Sequence, residues 1–213
     1  VRVHPNDGMN TEPVFISVSE VAANELGHAA FIAGVAEPGG GALFDGVFRA
    51  DGTSTTEIAR AGQELSGPAD TLDSPTDVAI NSSGQVAFRA YHGESPDTLQ
   101  SILIGDGQTL VAVATAKLFF AHQSEYLFSE VGRPSLNNAG QVAFHAYQAQ
   151  GGAAVYRADS DDMDLIAEQE QLAPGNAGTF TGFFDPKTND AGQVAFLAHT
   201  QHSETGNYAG LYL

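Results

Sequence analysis

The sequence predicts an all-β protein, a four-bladed β-propeller formed from four tandem repeats. One phrase, Asn-x-x-Gly followed by an apolar run that contains Phe-x-Ala, occurs four times, and three further short apolar runs separate its occurrences. The glycines of the phrase, which are 57, 56 and 52 residues apart, are Gly27, Gly84, Gly140 and Gly192. A period of this length with four short strands in each unit is typical of propeller blades.

The first element of each repeat is a turn together with the strand that follows it. In Asn-x-x-Gly the asparagine side chain can bond the backbone two residues further on, and the glycine can adopt a positive φ. The run after each glycine is rich in apolar residues and bounded by turn signals, which favours a strand buried on both faces. These strands are predicted at residues 28–33, 85–90, 141–146 and 193–198.

Three more strands are predicted in each repeat. The second strand ends in a turn, for which Asp51-Gly52 and Asp106-Gly107 are the strongest signals. The third follows that turn, and the fourth leads into the next Asn-x-x-Gly. The second strands are predicted at residues 46–51, 101–106, 154–159 and 210–213, the third at 56–60, 109–113 and 164–168, and the fourth at 72–80, 127–136 and 180–188.

The two ends of the chain carry incomplete repeats. Only two strands follow the last turn, and two strands, at residues 1–3 and 14–18, precede the first. We therefore expect one domain over residues 1–213, with repeats of about 55 residues, in which residues 1–20 complete the last blade and two strands come from each terminus. Two alternatives stay open: a linear β-solenoid, and closure by strands of a neighbouring molecule, which would build a dimer or a filament.

The composition excludes several classes of function. The chain has 26 acidic and 8 basic residues and a net charge of −18, which argues against nucleic acid or an anionic membrane surface as a partner. It has no cysteine, so disulfides and thiol catalysis are excluded, and it has no apolar run long enough to span a bilayer. We expect the partner to be a small molecule, a glycan or another copy of this protein.

Two positions of the first strand change type between the repeats, and such positions are candidates for ligand binding. The candidate ligand-binding residues are Arg89, Tyr91, His145, Tyr147 and His199. Strand alternation places the first two on one face, as it does the next two. Arginine, histidine and tyrosine together could bind a carboxylate or a sugar, and they could also abstract a proton, with His or Tyr as the base. The alternative is that these side chains are strand ends that reach solvent. The loops at 34–45 and 116–126 are further candidate ligand surfaces.

One acidic run has partial features of a calcium site. Its candidate ligands are Asp159, Asp161, Asp162 and Asp164. Carboxylates at the first and third places can suit calcium, but Asp164 occupies the sixth place, where an EF-hand loop needs glycine. A solvated turn between two strands is therefore the favoured interpretation, and we expect neither a cofactor nor a structural metal.

The repeated phrase, with the Val-Phe-Arg-Ala-Asp-Gly strand and turn of residues 47–52, resembles a group of bacterial extracytoplasmic proteins with tandem Asn-x-x-Gly-x-Val-Ala-Phe-x-Ala units. Residues 134–144 and 173–180 are similar to the usual repeat sequence of that group. The first repeat departs from it, with His28-Ala29 in place of Gln-Val. The resemblance covers nearly the whole chain. It implies a propeller and a secreted or extracytoplasmic location, and it implies no activity.

We therefore expect a non-catalytic extracytoplasmic binding or scaffold module, with carbohydrate as one ligand class. One alternative is a polysaccharide lyase or hydrolase that uses the Arg/His/Tyr set. The other is a structural protein that assembles by strand exchange of its termini.

Overall fold

The computed structural model describes residues 13–41, 43–65, 70–93, 98–117, 127–202 and 206–213. These residues form strands and two short 3-10 turns, at Pro38–Gly40 and Pro174–Asn176, so the predicted all-β class is confirmed. In the described part of the chain, no helix has the length and apolar character needed to cross a membrane. The predicted strand at residues 1–3 and most of the predicted loop at 116–126 lie outside the described residues.

The strands form four consecutive groups, called repeats 1 to 4, and each group begins with the strand that leads into an Asn-x-x-Gly turn. Repeat 1 contains β1 (Val14–Ala23), β2 (Ala29–Ala36), β3 (Leu43–Ala50) and β4 (Thr55–Arg60). Repeat 2 contains β5 (Leu72–Ile80), β6 (Val86–His92), β7 (Leu99–Gly105) and β8 (Leu110–Lys117). Repeat 3 contains β9 (Phe128–Val131), β10 (Ser135–Leu136), β11 (Val142–Gln148), β12 (Ala153–Ala158) and β13 (Met163–Glu168). Repeat 4 contains β14 (Thr179–Phe183), β15 (Lys187–Thr188), β16 (Val194–His202) and β17 (Gly206–Tyr212).

Each repeat is an antiparallel meander, as the sequence predicts. In repeat 1 the sheet order is β1-β2-β3-β4. In repeats 3 and 4 the strand before the turn is divided into two pieces, so β9 and β10 both pair with β11, and β14 and β15 both pair with β16. Strands β8 and β9 meet through one parallel pair, Ala116 and Phe128. The chain divides into two compact units, residues 1–98 with 103–111 and residues 99–102 with 112–213.

The pairing of β1 corrects one expectation about the chain ends. Strand β1 pairs with β2 from Val14 opposite Ala36 to Ala23 opposite Ala29. Residues 14–18 therefore belong to the first sheet, and the expectation that they complete the last blade is wrong. The physical reason is the Asn-x-x-Gly turn itself, which folds the strand before it directly onto the strand after it. Each sheet consequently begins one strand earlier than the sequence analysis assumed.

The Asn-x-x-Gly turn also joins one repeat to the next. All four repeat glycines have a positive φ, as predicted, between 75° and 81°. In repeat 1 the Oδ1 atom of Asn24 accepts hydrogen bonds from the backbone N–H groups of Leu26 and His28, at 3.0 and 2.9 Å. The Nδ2 atom of the same side chain donates to the carbonyl oxygen of Asn81 in repeat 2, at 2.9 Å. One side chain therefore closes its own turn and bonds to the backbone of the next repeat.

The same arrangement occurs between repeats 3 and 4. Asn137 accepts from the N–H groups of Ala139 and Gln141 through Oδ1, at 3.0 and 2.9 Å. Its Nδ2 donates to the carbonyl oxygen of Asn189 at 3.0 Å. Asn137 is only 3% exposed, so these bonds satisfy a polar group that would otherwise be costly to bury.

One arginine on β3 and one on β12 make a further contact with the neighbouring repeat. The Nη1 atom of Arg49 donates to the carbonyl oxygen of Gly84 at 2.5 Å, and Arg157 donates in the same way to Gly192. A Cβ atom at Gly84 would lie 2.5 Å from Arg49 Nη1, so glycine is required there for space as well as for its φ of +80°. Ile104 occupies the corresponding position of repeat 2, which therefore lacks this arginine.

Three repeats contain the same triad of aromatic rings on one face of the sheet. In repeat 3 the rings of Phe144 and Tyr156 stack with centroids 5.8 Å apart and an interplanar angle of 22°, and Phe128 meets Tyr156 edge-on at 5.0 Å. The stacked pairs of repeats 1 and 4 have centroid distances of 5.8 and 5.7 Å and angles of 25° and 24°. The matching triads are Phe15, Phe31, Phe48 and Phe180, Phe196, Tyr212.

Two of the cores lie between the aromatic face of one repeat and the opposite face of the repeat before it. In the first unit, Ile32 and Val47 of repeat 1 share a core with Phe88 of repeat 2. In the second unit, Val155 of repeat 3 shares a core with Phe196 of repeat 4. Burial of these faces stabilises the molecule, because each sheet removes the apolar surface of its neighbour from water.

Replacing Phe144 with alanine tests the contribution of the aromatic triad. The side chain is fully buried and touches two other rings. We expect F144A to lower the free energy of unfolding by about 3–5 kcal/mol, because both transfer energy and ring contacts are lost. The control is F184A, which removes a ring that is 47% exposed. Urea denaturation measures both variants, and equal losses would contradict the proposed core.

Candidate functional site

Arg89 and Tyr91 lie on the same face of β6 in repeat 2, as the alternation predicts. The Nη2 atom of Arg89 is 2.6 Å from Oδ2 of Asp77, whose side chain is 3% exposed, and its Nε donates to Oγ1 of Thr76 at 3.3 Å. The charge of Arg89 therefore compensates a buried carboxylate within its own repeat. Tyr91 is partly buried. The predicted role of Arg89 as the cation for a ligand carboxylate has no support in this geometry.

His145 and Tyr147 lie together on β11 in repeat 3. Their rings meet edge-on with centroids 6.1 Å apart. The Nδ1 atom of His145 is 3.0 Å from Oδ1 of Asp185, which lies just before β15 in repeat 4. Tyr147 is 47% exposed. The structure thus brings two of the predicted residues together and places a carboxylate beside the imidazole.

A glycine makes room for the His145 ring. Gly132 donates its backbone N–H to the carbonyl oxygen of His145 at 2.8 Å. A Cβ atom at Gly132 would lie 2.3 Å from Nδ1 of His145, so any other residue would displace the imidazole. The backbone at Gly132 therefore bounds the His145 ring on one side, and the carboxylate of Asp185 lies near its Nδ1 atom.

His145 and Tyr147 border an open groove of about 530 Å³ in repeat 3. The groove is lined by Ser129, Glu130, His145, Tyr147, Gln148, Ala149, Gly151 and Gly152. The amide nitrogen of Gln148 donates to the hydroxyl of Tyr156 at 2.8 Å, which fixes one wall. The groove combines a half-exposed aromatic ring with hydroxyl, carboxylate and imidazole groups, so it can hold a ligand that has both apolar and polar surface.

His199 has different surroundings from the other candidates. It lies on β16, is exposed, and its ring meets Phe184 edge-on at 5.1 Å. It is absent from the lining of the repeat 3 groove. Its predicted grouping with His145 and Tyr147 has no support in the groove.

The sequence analysis missed Asp185, although a repeat signal marks its position. An acidic residue occurs four positions before the turn asparagine in three repeats, as Glu20, Asp77 and Asp185, whereas repeat 3 has Arg133 there. The Oε2 atom of Glu20 accepts from the backbone N–H of Asp77 at 2.6 Å. The acidic residues at this position can be found by comparing the strands that lead into the Asn-x-x-Gly turns, in addition to the strands that follow them.

A second open groove, of about 540 Å³, lies in the first unit and includes both ends of the predicted loop at 34–45. Its polar lining comes from Ser17, Asp45, Asp73 and Ser74. Gly34 occupies the position that Tyr147 has in repeat 3, so this groove has no aromatic ring at that place. The loop itself is short, because β2 continues to Ala36 and β3 begins at Leu43.

The acidic run of repeat 3 forms a hairpin turn. The Oδ1 atom of Asp159 accepts from the backbone N–H groups of Asp161 and Asp162, both at 3.0 Å, and Asp164 pairs with Arg157. Asp162 in turn accepts from the backbone N–H of Met163 at 2.8 Å, so three of the four candidate calcium ligands are engaged in local bonds. Within the described ranges, His, Asp and Glu side chains form no group of three that could hold a metal ion. The hydrogen bonds of Asp159 give this segment the geometry of a turn between two strands.

The corresponding turns of repeats 1 and 2 use Asp51 and Asp106 in the same way. Hydrogen bonds from the backbone N–H groups of Thr109 and Gln108 lower the pKa of Asp106. The pKa of Asp51 is lowered by the N–H of Ser54 and by the hydroxyl and N–H of Thr53. These bonds favour the ionised carboxylate, because a carboxylate accepts hydrogen bonds more strongly than a protonated acid.

The lowered pKa of Asp106 predicts a pH dependence of stability. Because the folded pKa is below the unfolded value of about 3.9, the stabilisation is complete above that pH and is lost as the pH falls through the folded pKa. NMR titration should give an Asp106 carboxyl midpoint below about 3.9. The D106N variant, which keeps an acceptor but cannot titrate, should show a weaker loss of stability in acid. A midpoint at or above the unfolded value would contradict this assignment.

Comparisons with known proteins place the chain in a family but give no chemistry. Residues 3–213 match the profile described as "Family of unknown function (DUF7453)". Neither a curated protein nor a solved structure matches the chain. Because the match includes nearly every residue, the protein belongs to the DUF7453 family of unknown function.

Proposed function

We propose that this protein is a non-catalytic binding module that acts outside the cytoplasm and holds a neutral glycan in the groove of repeat 3. One observation carries the proposal: the half-exposed ring of Tyr147 lines that groove beside His145, whose Nδ1 atom lies 3.0 Å from Oδ1 of Asp185. The extracytoplasmic location rests on the resemblance of the repeats to exported bacterial proteins.

The chemistry of the groove suits a sugar. A sugar ring has an apolar C–H face that can pack on an aromatic ring, and hydroxyls that need donors and acceptors at its edge. Tyr147 supplies the ring, and Ser129 and Glu130 supply a hydroxyl and a carboxylate in the same groove. The net charge of −18 disfavours an acidic polymer, because like charge slows its approach.

The fold proposal that accompanies this function is a β-propeller in which the four repeats are the blades. Two kinds of contact support it within each unit. The strands that lead into the turns bond to each other, as Thr188 N–H does to Ser135 Oγ at 3.1 Å and as Asp77 does to Glu20. The aromatic face of one sheet also packs on the opposite face of the sheet before it, which is how adjacent blades bury their apolar surface.

A second candidate function is hydrolysis or elimination on a polysaccharide. The nearness of Asp185 to His145 favours it, because a carboxylate beside an imidazole is a common element of general-base sites. Against it, Arg89 is already paired with Asp77, so the cation of the expected catalytic set is occupied. Release of soluble sugar from a polysaccharide panel, lost in H145Q, would replace the binding proposal with this one.

Replacing Tyr147 with alanine tests the proposed site. A panel of neutral glycans is screened for binding by calorimetry, and the best binder is measured again with Y147A. We expect the Kd to rise at least about tenfold, because the stacking surface is lost. The melting temperature should stay unchanged, since nearly half of this side chain is exposed.

The matched control is Y91A, which removes the tyrosine at the same repeat position of repeat 2. It should keep the Kd, because Tyr91 does not line the groove of repeat 3. Equal weakening by both variants, or no weakening by Y147A, would refute the site.

A further inference from the structure

The open groove of about 540 Å³ in the first unit differs in charge from the groove of repeat 3. We call it the repeat 1 groove. Of the described residues that line it, Asp45 and Asp73 carry carboxylates and none carries a positive charge. The groove of repeat 3 is lined by one carboxylate, that of Glu130, together with the imidazole of His145. The repeat 1 groove is therefore the more acidic of the two.

The two carboxylates are particular to this groove. Asp45 lies opposite Gly34 in the pairing of β2 with β3, and Asp73 is the second residue of β5. No other repeat has an acidic residue at either position, so the repeat architecture does not require one. The counterparts of Asp45 in repeats 2, 3 and 4 are Gln100, Ala153 and Ala209, and the counterparts of Asp73 in repeats 1, 3 and 4 are Ile16, Ser129 and Thr181.

Two consecutive backbone groups hold the strands that carry these carboxylates. The N–H of Ala61 donates to the carbonyl oxygen of Asp45 at 2.8 Å. The N–H of Gly62 donates to the carbonyl oxygen of Leu72, the residue before Asp73, at 2.7 Å. Because the two donors are adjacent in the chain, β3 of repeat 1 and β5 of repeat 2 are bonded to the same short segment. The fold itself thus brings both carboxylates to one groove.

A glycine leaves space on one side of the groove. A Cβ atom at Gly34 would lie 2.5 Å from Oγ of Ser17 and 3.4 Å from Oδ1 of Asp45, so a hydroxyl and a carboxylate converge on this glycine. The Oγ atom of Ser17 accepts the N–H of Gly34 at 3.1 Å. Tyr147 occupies the same repeat position in repeat 3, and a ring of that size at Gly34 would collide with both groups.

The protein gives these carboxylates no counter-charge in the part of the chain that the structure describes. None of the ion pairs between described residues includes Asp45 or Asp73. The guanidinium of Arg60 lies 4.6 Å from the centre of the Phe44 ring, but it is paired with Glu57 at 2.7 Å. Two carboxylates on one concave surface repel each other, and a bound cation relieves that repulsion.

The size and the walls of the groove favour an organic amine over a metal ion. Ile16, Leu43 and Phe44 supply apolar walls, which suit the carbon skeleton of a small molecule. Calcium takes about six to eight oxygen ligands, and the described residues form no group of three acidic or histidine side chains that could hold a metal. An ammonium group has three donors and forms strong charge-assisted hydrogen bonds with carboxylates.

We propose that the repeat 1 groove binds a small organic cation, namely a primary ammonium group on a carbon skeleton. The ammonium group pairs with the carboxylates of Asp45 and Asp73, and the skeleton packs against Ile16 and Leu43. The described linings of the two grooves share no residue, so this site is independent of the glycan site proposed for repeat 3.

An NMR titration of the whole 213-residue chain tests the proposal. Its local readout is the amide signals of Gly34 and Gly62, which belong to this groove alone. The probes are diaminopentane and pentanediol, which share a skeleton and differ in charge. We expect the diamine to shift both signals and the diol to leave them in place. Titrations with the trisaccharide of glucosamine and the tripeptide of lysine then show whether an amino sugar or a peptide amine binds more tightly.

Two single substitutions test the assigned carboxylates. D45N and D73N should each raise the Kd for diaminopentane at least about tenfold, because each removes a charge that pairs with the ammonium group. Both side chains are exposed, so the melting temperature should be kept. The matched control is D161N, which removes an exposed carboxylate from the hairpin turn of repeat 3 and changes the net charge by the same amount. It should leave the Kd unchanged.

Three results would overturn the proposal. Equal weakening by D161N would mean that the diamine is attracted only by the general acidity of the protein. Equal shifts with pentanediol would mean that charge is not recognised. Calcium chloride that shifts the Gly34 and Gly62 signals at lower concentration than the diamine would make the groove a metal site.

Discussion

The structure depends on one side chain, the turn asparagine, that is used twice at the junction between repeats 1 and 2 and at the junction between repeats 3 and 4. The turn asparagine accepts backbone N–H groups through Oδ1, which forms the turn, and donates through Nδ2 to the carbonyl oxygen of the next turn asparagine. Because both halves of the amide are engaged, the position of one turn fixes the position of the next. Aspartate or serine could cap the turn alone, but neither has the amide donor. This double requirement is a physical reason for asparagine, rather than aspartate or serine, at Asn24 and Asn137.

The other junction contacts follow from that alignment. Once the turns are in register, Arg49 and Arg157 reach the glycine carbonyls of the neighbouring turns, and the aromatic face of one sheet meets the opposite face of the sheet before it. Repeat 2 has leucines at two positions of the aromatic triad, Leu72 and Leu103, and its core is still fully buried there. The volume of the packed face therefore matters more than ring geometry, whereas the hydrogen bonds of the turns set the register.

The sequence was sufficient to predict the turns and strands because each is a local pattern that occurs several times. Strand β5 has the predicted bounds, and the four glycines have the expected φ. The boundaries between the sheets could not be predicted as well. The repeat pattern gives the order of the strands along the chain, but it does not say which strand is the first of a sheet. Of the candidate site, only His145 and Tyr147 lie together in the groove. Their partners Asp185 and Gly132 are distant in sequence, and Arg89 pairs with an aspartate on the neighbouring strand β5.

The most direct test of this account compares aspartate substitutions at two turn asparagines. N137D keeps the Oδ1 acceptor but places a carboxylate against the carbonyl oxygen of Asn189, to which Nδ2 now donates at 3.0 Å. In N189D the same change affects a side chain whose Nδ2 donates to Gln193 within its own turn. The account predicts that N137D lowers the free energy of unfolding in urea by at least about 2 kcal/mol, and that N189D costs less than about 1 kcal/mol. Equal losses in the two variants would contradict it.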